Sequence, residues 1–395
     1  MIEPRTVAHG NKRRLVVVLG MHRSGTSAVA RSLMTLGVDL GESLEPAVAG
    51  VNEKGFFEDS ELNAFNEQLL QNLGRSWHSM SALTGSELAS AGLASARAEA
   101  ASLLSRKMAH GRVFGVKNPR FARLLPFWQP VFGEMNLDVS YVIVVRNPIS
   151  VARSLARRDG FAPIKSYYLW LQHLVPAIVE THGATRVVVD YDLLLDDPVQ
   201  QVERIAVSLK LRFDMRSEGL RDFANNFLER RLRHTRFGQR EMLESDDAPE
   251  GLADAYLMLQ DAARARTIND TKRLTKGFGQ FGARLATLEP LLAYVDETEG
   301  ARDSNALGPN NCRSQLAQLT ARLAATDKAL GEAQHLSLAR MEELSQLTAR
   351  LAATDKALGE AQHLSLSQER ELESVRLTRT WRLRSALWRL LGRDP

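Results

Sequence analysis

The sequence predicts an α/β fold: a P-loop-like parallel sheet flanked by helices, followed by a helical region and a C-terminal coiled coil. Three observations predict it. Short β-branched runs alternate with helical patterns from about residue 13 to residue 235. The first of these runs, Leu15-Val-Val-Val-Leu19, passes through a glycine-punctuated turn directly into a helix. Beyond residue 313 the chain repeats itself with a period of whole heptads.

The turn after the first strand reads Gly20-Met-His-Arg-Ser-Gly-Thr-Ser27, and Ala28–Leu36 follows as a helix. A strand, a tight loop and a helix N-terminus in that order form an anion site. Unpaired N–H groups and the positive end of the helix dipole face the ligand, and glycines let the backbone approach it. The spacing Gly20-x-x-x-x-Gly25-Thr26-Ser27 is that of a nucleoside-triphosphate loop, but Thr26 stands where such a loop carries lysine. The nearest cation is Arg23, inside the loop. A phosphate-bearing ligand other than ATP is the expectation.

Three more strands are predicted at Arg112–Val116, Tyr141–Val145 and Arg186–Asp190. Helical patterns cover Ser86–His110, with Ser86 as its N-cap, then Ile149–Arg158 and Ile164–Thr181. Trp128 and Trp170 lie in apolar stretches and read as core. From Arg216 to about Thr298 no further β-branched run occurs, so this part reads as helical, and Gly300–Asn311 has a linker's composition.

Gln318–Leu338 and Gln346–Leu366 are the same 21 letters, offset by 346 − 318 = 28 residues, or four heptads. With Leu316 at position a, Leu319, Leu323, Leu330, Leu344, Leu347, Leu351, Leu358 and Leu372 share one seam, which Thr326 and Thr354 weaken. A whole-heptad repeat keeps its seam in register, so a homo-oligomeric coiled coil is expected. The alternative is an amphipathic helix folded against the globular part. The last segment sets Leu377, Trp381, Leu387 and Trp388 against Arg379, Arg382, Arg389 and Arg393. That pattern suits a helix lying in a membrane interface, with a docking helix as the alternative. The expected organisation is a tail (1–12), an α/β domain (13–235), a helical extension (236–299), a linker (300–313), a coiled coil (314–375) and a basic amphipathic tail (376–395).

Composition narrows the function classes. The 395 residues carry 51 basic and 47 acidic side chains, a formal charge of +4, which argues against nucleic-acid binding by the whole chain. A single cysteine, Cys312, rules out an internal disulfide framework and fits a reducing compartment. The apolar run after Lys12-Arg13-Arg14 is too short for a signal peptide, and no stretch approaches the roughly 20 apolar residues of a membrane span. The expected location is the cytoplasm, with peripheral contact at the inner membrane through the tail.

A second motif refines the ligand. Tyr141-Val-Ile-Val-Val-Arg-Asn-Pro-Ile-Ser150 is a strand ending at Arg146, with Pro148 suited to the first turn of the next helix and Ser154 two turns into it. An arginine at a strand end and a serine on that helix can both reach one phosphate, the first with a planar fork of donors and the second with a hydroxyl.

These motifs resemble those of the bacterial branch of the 3′-phosphoadenosine-5′-phosphosulfate (PAPS)-dependent sulfotransferases, over residues 13 to 235. The resemblance implies that the first loop holds the 5′-phosphosulfate, Arg23 contacting its bridging and sulfuryl oxygens and Ser24, Gly25, Thr26 and Ser27 donating to the phosphate. It implies that Arg146 and Ser154 hold the 3′-phosphate. Lys117, in Val116-Lys-Asn-Pro-Arg120, resembles the lysine of a Lys-Asp-Pro-Arg stretch in bacterial members and, with Arg120, is a second cation for the leaving phosphate. Asn118 departs from the aspartate of many relatives. Two carboxylates compete for the role of base: Glu58, first, in a pattern resembling Asn-x-x-Gly-aromatic-aromatic-Glu, and Glu53 in Glu-x-x-Phe-Phe. His22 reads as a loop-packing or donor residue, and Asp39 and Asp59 as solvated or capping residues. Arg233 or Arg236 is a candidate to close over PAPS. The implied activity is sulfuryl transfer from PAPS to a hydroxyl of a carbohydrate or lipid-linked polysaccharide, with no metal. A P-loop kinase or NTPase is disfavoured by Thr26, and a catalytically silent coiled-coil scaffold is the third reading.

Overall fold

The computed structural model describes residues 12–48, 52, 54–109, 111–228, 241, 248–265, 271–306 and 309–392. Four strands form one parallel sheet: β1 (Arg14–Gly20), β2 (Val113–Lys117), β3 (Asp138–Val145) and β4 (Thr185–Asp190), in the order β2-β1-β3-β4. β1, β3 and β4 lie on runs of Val, Ile and Leu, as strands buried on both faces require, and β2 is buried from Phe114 to Lys117. Leu15 to Leu19 and Val142 to Val145 have no exposed surface. The strands coincide with the predicted ones to within a residue at their ends, except that β3 begins three residues earlier, at Asp138.

Helices cover both faces. In chain order they are α1 (Thr26–Met34), α2 (Ser60–Asn72), α3 (Gly85–Ala89), α4 (Ala94–Lys107), α5 (Phe121–Glu134), α6 (Pro148–Asp159), α7 (Pro163–Val179), α8 (Tyr191–Asp196) and α9 (Pro198–Leu209). The continuous helix expected over Ser86–His110 is broken, because Ser90 takes an extended ψ of 147° and a short 3-10 turn follows at Ala91–Leu93. Its N-cap is Thr84, not Ser86. The spacing Thr84-x-x-Glu87 forms a full capping box, which satisfies two terminal donors where Ser86 alone would satisfy one. Trp128 and Trp170 are fully buried, as expected, and the Trp128 indole donates to Asn66.

Beyond residue 217 the described residues are mostly helical, chiefly Leu252–Arg264 and Thr271–Ala306. These do not form a core of their own. Leu252, Leu259, Leu274 and Phe278 join Trp128 and Trp170 in one apolar cluster, so the division expected near residue 235 does not mark a separate packing unit. The chain divides instead into a compact unit to Ala301 and a second from Arg302. The segment expected as a linker is helical to Ala306 and again from Pro309. Most of the second unit is one helix, Pro309–Leu390, on which Leu344, Leu347, Leu351, Leu358 and Leu372 are all more than half exposed. Among the described residues no helix is long and apolar enough to cross a membrane.

Sheet order fixes where a ligand can sit. From β1 the chain goes to β2 on one side and then crosses to β3 on the other. The carboxyl ends of β1 and β3 therefore border the switch-point crevice of an open parallel sheet. Gly20 pairs with Val144, Val18 with Lys117 and Val145 with Asp190. The register thus brings the Gly20 loop, Lys117, Arg146 and Tyr191 to one edge.

Candidate active site

A cleft of about 580 Å³ opens on that edge. Its described lining includes Arg23, Lys54, Lys117, Arg120, Arg146, Arg153, Arg157 and Arg158, against only Glu45, Glu58 and Asp159. Such an excess of cations in a walled cleft selects for an anion.

The loop from Gly20 to Ser27 forms one wall. Gly20 has φ +148°, and an added Cβ would sit 2.6 Å from the Val144 carbonyl oxygen. Gly25 has φ +87°, and its Cβ would overlap the Tyr191 ring at 2.0 Å. Only glycine fits either position. Ala28 and Val29 N–H both donate to Gly25 O, starting α1, while the N–H groups just before them have no carbonyl one turn back. Ser24 is wholly buried, and its Oγ has no partner among the described residues. These features fit a phosphate ligand.

Arg146 leaves the end of β3 and donates from Nη1 to Arg23 O at 3.2 Å, its guanidinium lying 5.0 Å from the Tyr191 ring centre. Arg23 holds a left-handed φ of 66° and donates from Nε to Ser154 Oγ at 2.9 Å. The structure therefore joins three residues that the sequence singles out in two motifs. Burial, followed by repulsion from Arg158 and Arg146, pulls the Arg23 guanidinium below its ordinary value. Like charges held this close favour a multivalent anion between them.

The opposite wall holds Glu58 and Lys117, both almost fully buried. Lys117 Nζ donates to Glu58 Oε1 at 2.5 Å, and Asn118 Nδ2 donates to Glu58 Oε2 at 2.9 Å. Asn118, the departure from the aspartate of relatives, also donates to Asn63 Oδ1 at 2.7 Å. An aspartate there would set a second negative charge against Glu58. Arg120 bonds Asn63 and Glu67. Ser27 Oγ is turned away from the loop mouth: it accepts from Asn52 Nδ2 and donates to Phe56 O, both at 3.1 Å. Glu53, Arg233 and Arg236 lie outside the described residues.

His22 packs, with its ring centre 4.3 Å from Trp77 and 5.8 Å from His173. Burial and the neighbouring cations hold it well below the usual histidine range, so it is neutral at physiological pH. Asp59 caps α2, accepting from Glu61 and Leu62 N–H, and Asp39 accepts from Gly41 N–H.

Arg157 and Arg158, which sequence offers either as contacts for an anionic ligand or as a solvated helix end, line the cleft; Trp77, Asn63, Asn52 and Tyr191 also line it and were not picked out from sequence. Only Tyr191 carried a signal, since Asp190-Tyr191 ends the last β-branched run. Trp77 sits in a loop held from behind by buried Arg123, which donates to the carbonyls of Ser76, Trp77 and Ser81. Among the described residues no group of His, Cys, Asp and Glu is arranged to hold a metal ion.

The model of a sulfotransferase family matches residues 16–215, half of the chain, and the chain belongs to that family. No curated protein matches it. Among solved structures it is similar to the sulfotransferase domain of the olefin synthase from Synechococcus PCC 7002, at 19% identity and TM-score 0.34, over 69% of this chain and 96% of that one. It is also similar to the sulfotransferase STF1 of Mycobacterium tuberculosis H37Rv, at 17% identity and TM-score 0.29, over 55% of this chain and 72% of that one. A third is retinol dehydratase in complex with retinol and PAP, at 15% identity and TM-score 0.30, over 55% and 65%. Superpositions at these scores carry no argument about ligand or reaction.

Proposed function

Taking membership of the sulfotransferase family as the premise, we propose that the protein moves a sulfuryl group from PAPS to a hydroxyl of a carbohydrate or lipid-linked acceptor. The observation that carries this is the convergence of Arg23, Arg146 and Ser154 at the N-terminus of α1, opposite the Lys117–Glu58 pair. The loop would take the 5′-phosphosulfate through the N–H groups of Gly25, Thr26 and Ser27 and through Ser24 Oγ. Arg146 and Ser154 would take the 3′-phosphate, a group that ATP lacks. Glu58 would accept the acceptor's proton as the new O–S bond forms. The S–O bond to the 5′-phosphate would break with its electron pair passing to that phosphate, stabilised by Arg23 and Lys117. A polyhydroxyl substrate is supported by the lining of the cleft, which includes the planar polar groups of Glu45, Asn52 and Asn63 as well as Trp77.

The direct test is thermal stabilisation by PAP, the desulfated donor. At a hundred times its Kd a ligand adds about 2.7 kcal/mol of stability. PAP should raise Tm and ATP–Mg²⁺ should not. Stabilisation by ATP–Mg²⁺ instead would favour a kinase, and by neither a silent scaffold. Mass spectrometry of surface glycans with and without the protein would identify the sulfated acceptor.

The proposal extends to assembly. Residues 314–375 would pair copies of the chain through their leucine seam, and residues 376–395 would hold them peripherally at the cytoplasmic side of the inner membrane, where lipid-linked polymers are built. Deleting 377–395 should move the protein from the membrane fraction to the soluble one, and an unchanged distribution would refute the anchoring role.

A further inference from the structure

Lys117 has three N–H groups to place, and the protein occupies all of them. Glu58 Oε1 accepts one at 2.5 Å, Phe56 O another at 3.0 Å and Ser27 Oγ the third at 3.3 Å. Glu58 is equally committed, with Lys117 on one oxygen and Asn118 on the other. Ser27 closes the circuit by donating to the same Phe56 carbonyl. The cation at the end of β2, the hydroxyl of the anion loop and the carboxylate of the facing wall are thus tied to one another.

The chain bends to make this possible. Phe57, between the carbonyl and the carboxylate that Lys117 binds, has φ 55°. That is an outlying conformation for a bulky side chain, and it turns both neighbours toward one ammonium. Burial draws the Lys117 ammonium below its ordinary value, with Glu58 opposing, so the pair holds its charges at the expense of hydration. A phosphate oxygen entering at the N-terminus of α1 arrives beside Ser27. It is a stronger acceptor for an ammonium than the hydroxyl or the carbonyl that Lys117 now holds.

We propose that the Lys117–Glu58 pair is a donor-sensing latch: without donor, Lys117 neutralises Glu58 and ties Phe56 and Glu58 to the anion loop, and the arriving phosphosulfate draws Lys117 away and releases Glu58 as base. This rests on the sulfuryl-transfer reading and adds an order to it. The carboxylate becomes free to take a proton only when the donor's 5′-phosphate is in place. The acceptor then gives its proton to Glu58, its oxygen bonds to sulfur, and the bond from sulfur to the 5′-phosphate breaks with its electrons on that phosphate.

Calorimetric titration with PAP tests the latch without relying on turnover. If Lys117 must leave Glu58 for the donor to bind, Glu58→Gln should bind PAP roughly tenfold more tightly than the wild type. In a chain that also carries Lys117→Met, the same substitution should change nothing. Unchanged affinity in Glu58→Gln overturns the latch. So does tightening that persists with Lys117→Met, because it then reflects plain repulsion between a carboxylate and an anion. Failure of the wild type to bind PAP removes the donor reading and the latch together, and is a distinct result. Should Lys117→Met not fold, infrared difference spectra of the wild type serve. PAP should shift a carboxylate band that Glu58→Gln lacks, and no shift overturns the proposal.

Discussion

The two walls of the cleft are built on different principles. The donor wall consists of residues that directly follow parallel strands: the Gly20 loop after β1, Arg146 after β3 and Tyr191 after β4. Sheet register fixes their spacing, and glycines fix their approach. The facing wall joins Lys117, at the end of β2, to the loop before α2, to Asn63 on α2 and to the Trp77 loop, and side-chain hydrogen bonds hold it in shape. Substitutions on the first wall should act on the ligand directly. Those on the second should act through neighbours, and on stability first.

The largest effect should come from Gly25→Ala. Its Cβ would collide with the Tyr191 ring at a backbone angle that L-residues avoid. Steric conflict and strain together place it among the exceptional substitutions, above about 4 kcal/mol. Urea unfolding should show that loss. Adding Tyr191→Ala should restore the part due to collision and leave the part due to φ, which separates the two causes.

Next in size is Arg146→Ala. Charge-assisted hydrogen bonds contribute about 1.5–3 kcal/mol, so PAP should bind roughly 10- to 100-fold more weakly. Adenosine 5′-phosphate, which has no 3′-phosphate, should be little affected. If both ligands weaken equally, Arg146 supports the loop through its bond to Arg23 O and does not read the 3′-phosphate.

This contrast also explains what the sequence disclosed. The donor wall was legible because each of its parts is contiguous: a β-branched run, a glycine-bounded turn, an arginine, then a serine at helical spacing. All four strands were visible for the same reason. On the facing wall only Glu58 and Lys117 stand in contiguous motifs, and the rest has no such grammar. Asn52, Asn63 and Trp77 stand far from Lys117 in the chain and meet it only once the sheet has formed. α5 was hidden by Pro126 and Pro130, which break a helical reading, although its apolar face points inward: Phe121, Leu124, Leu125, Trp128 and Val131 are all buried. Its Arg123 looks like a surface residue in sequence, yet it is the buried anchor of the Trp77 loop. Leucine spacing in the helix Pro309–Leu390 specifies a seam, and sequence leaves open whether it pairs copies of the chain or folds against the globular part.

A smaller effect should separate the walls most cleanly. Arg123→Met removes the donor to three loop carbonyls, and buried groups left without partners cost about 1–3 kcal/mol. Stability should fall by that order and hydrogen exchange should quicken at residues 76–82, while PAP affinity stays as it was. A parallel loss of PAP affinity would show that the walls are coupled through the backbone and not only through Lys117.

The subtlest prediction concerns pH. His173 is wholly buried behind the cleft, its Nδ1 against Leu169 O, and burial with the nearby Arg123 and Arg120 holds its pKa down to about 3. Its folded value lies below the unfolded one, so the unfolded chain takes up the proton first as pH falls. Its contribution is intact above about pH 6.5 and is lost toward pH 3, at up to about 1.4 kcal/mol per unit. Asp190 works in the opposite sense. Burial raises it to about 6, so between its ordinary value of 3.8 and 6 the folded state holds the extra proton and stability rises on acidification. The two partly cancel in the wild type, and His22 adds to the slope of His173. A difference measurement isolates the term: His173→Gln should lose less stability than the wild type between pH 6.5 and 4.5, in urea melts that leave Asp190 and His22 in place. Parallel curves would mean that the unfolded chain gains no proton at His173 that the folded chain lacks, and that the ring titrates where it sits.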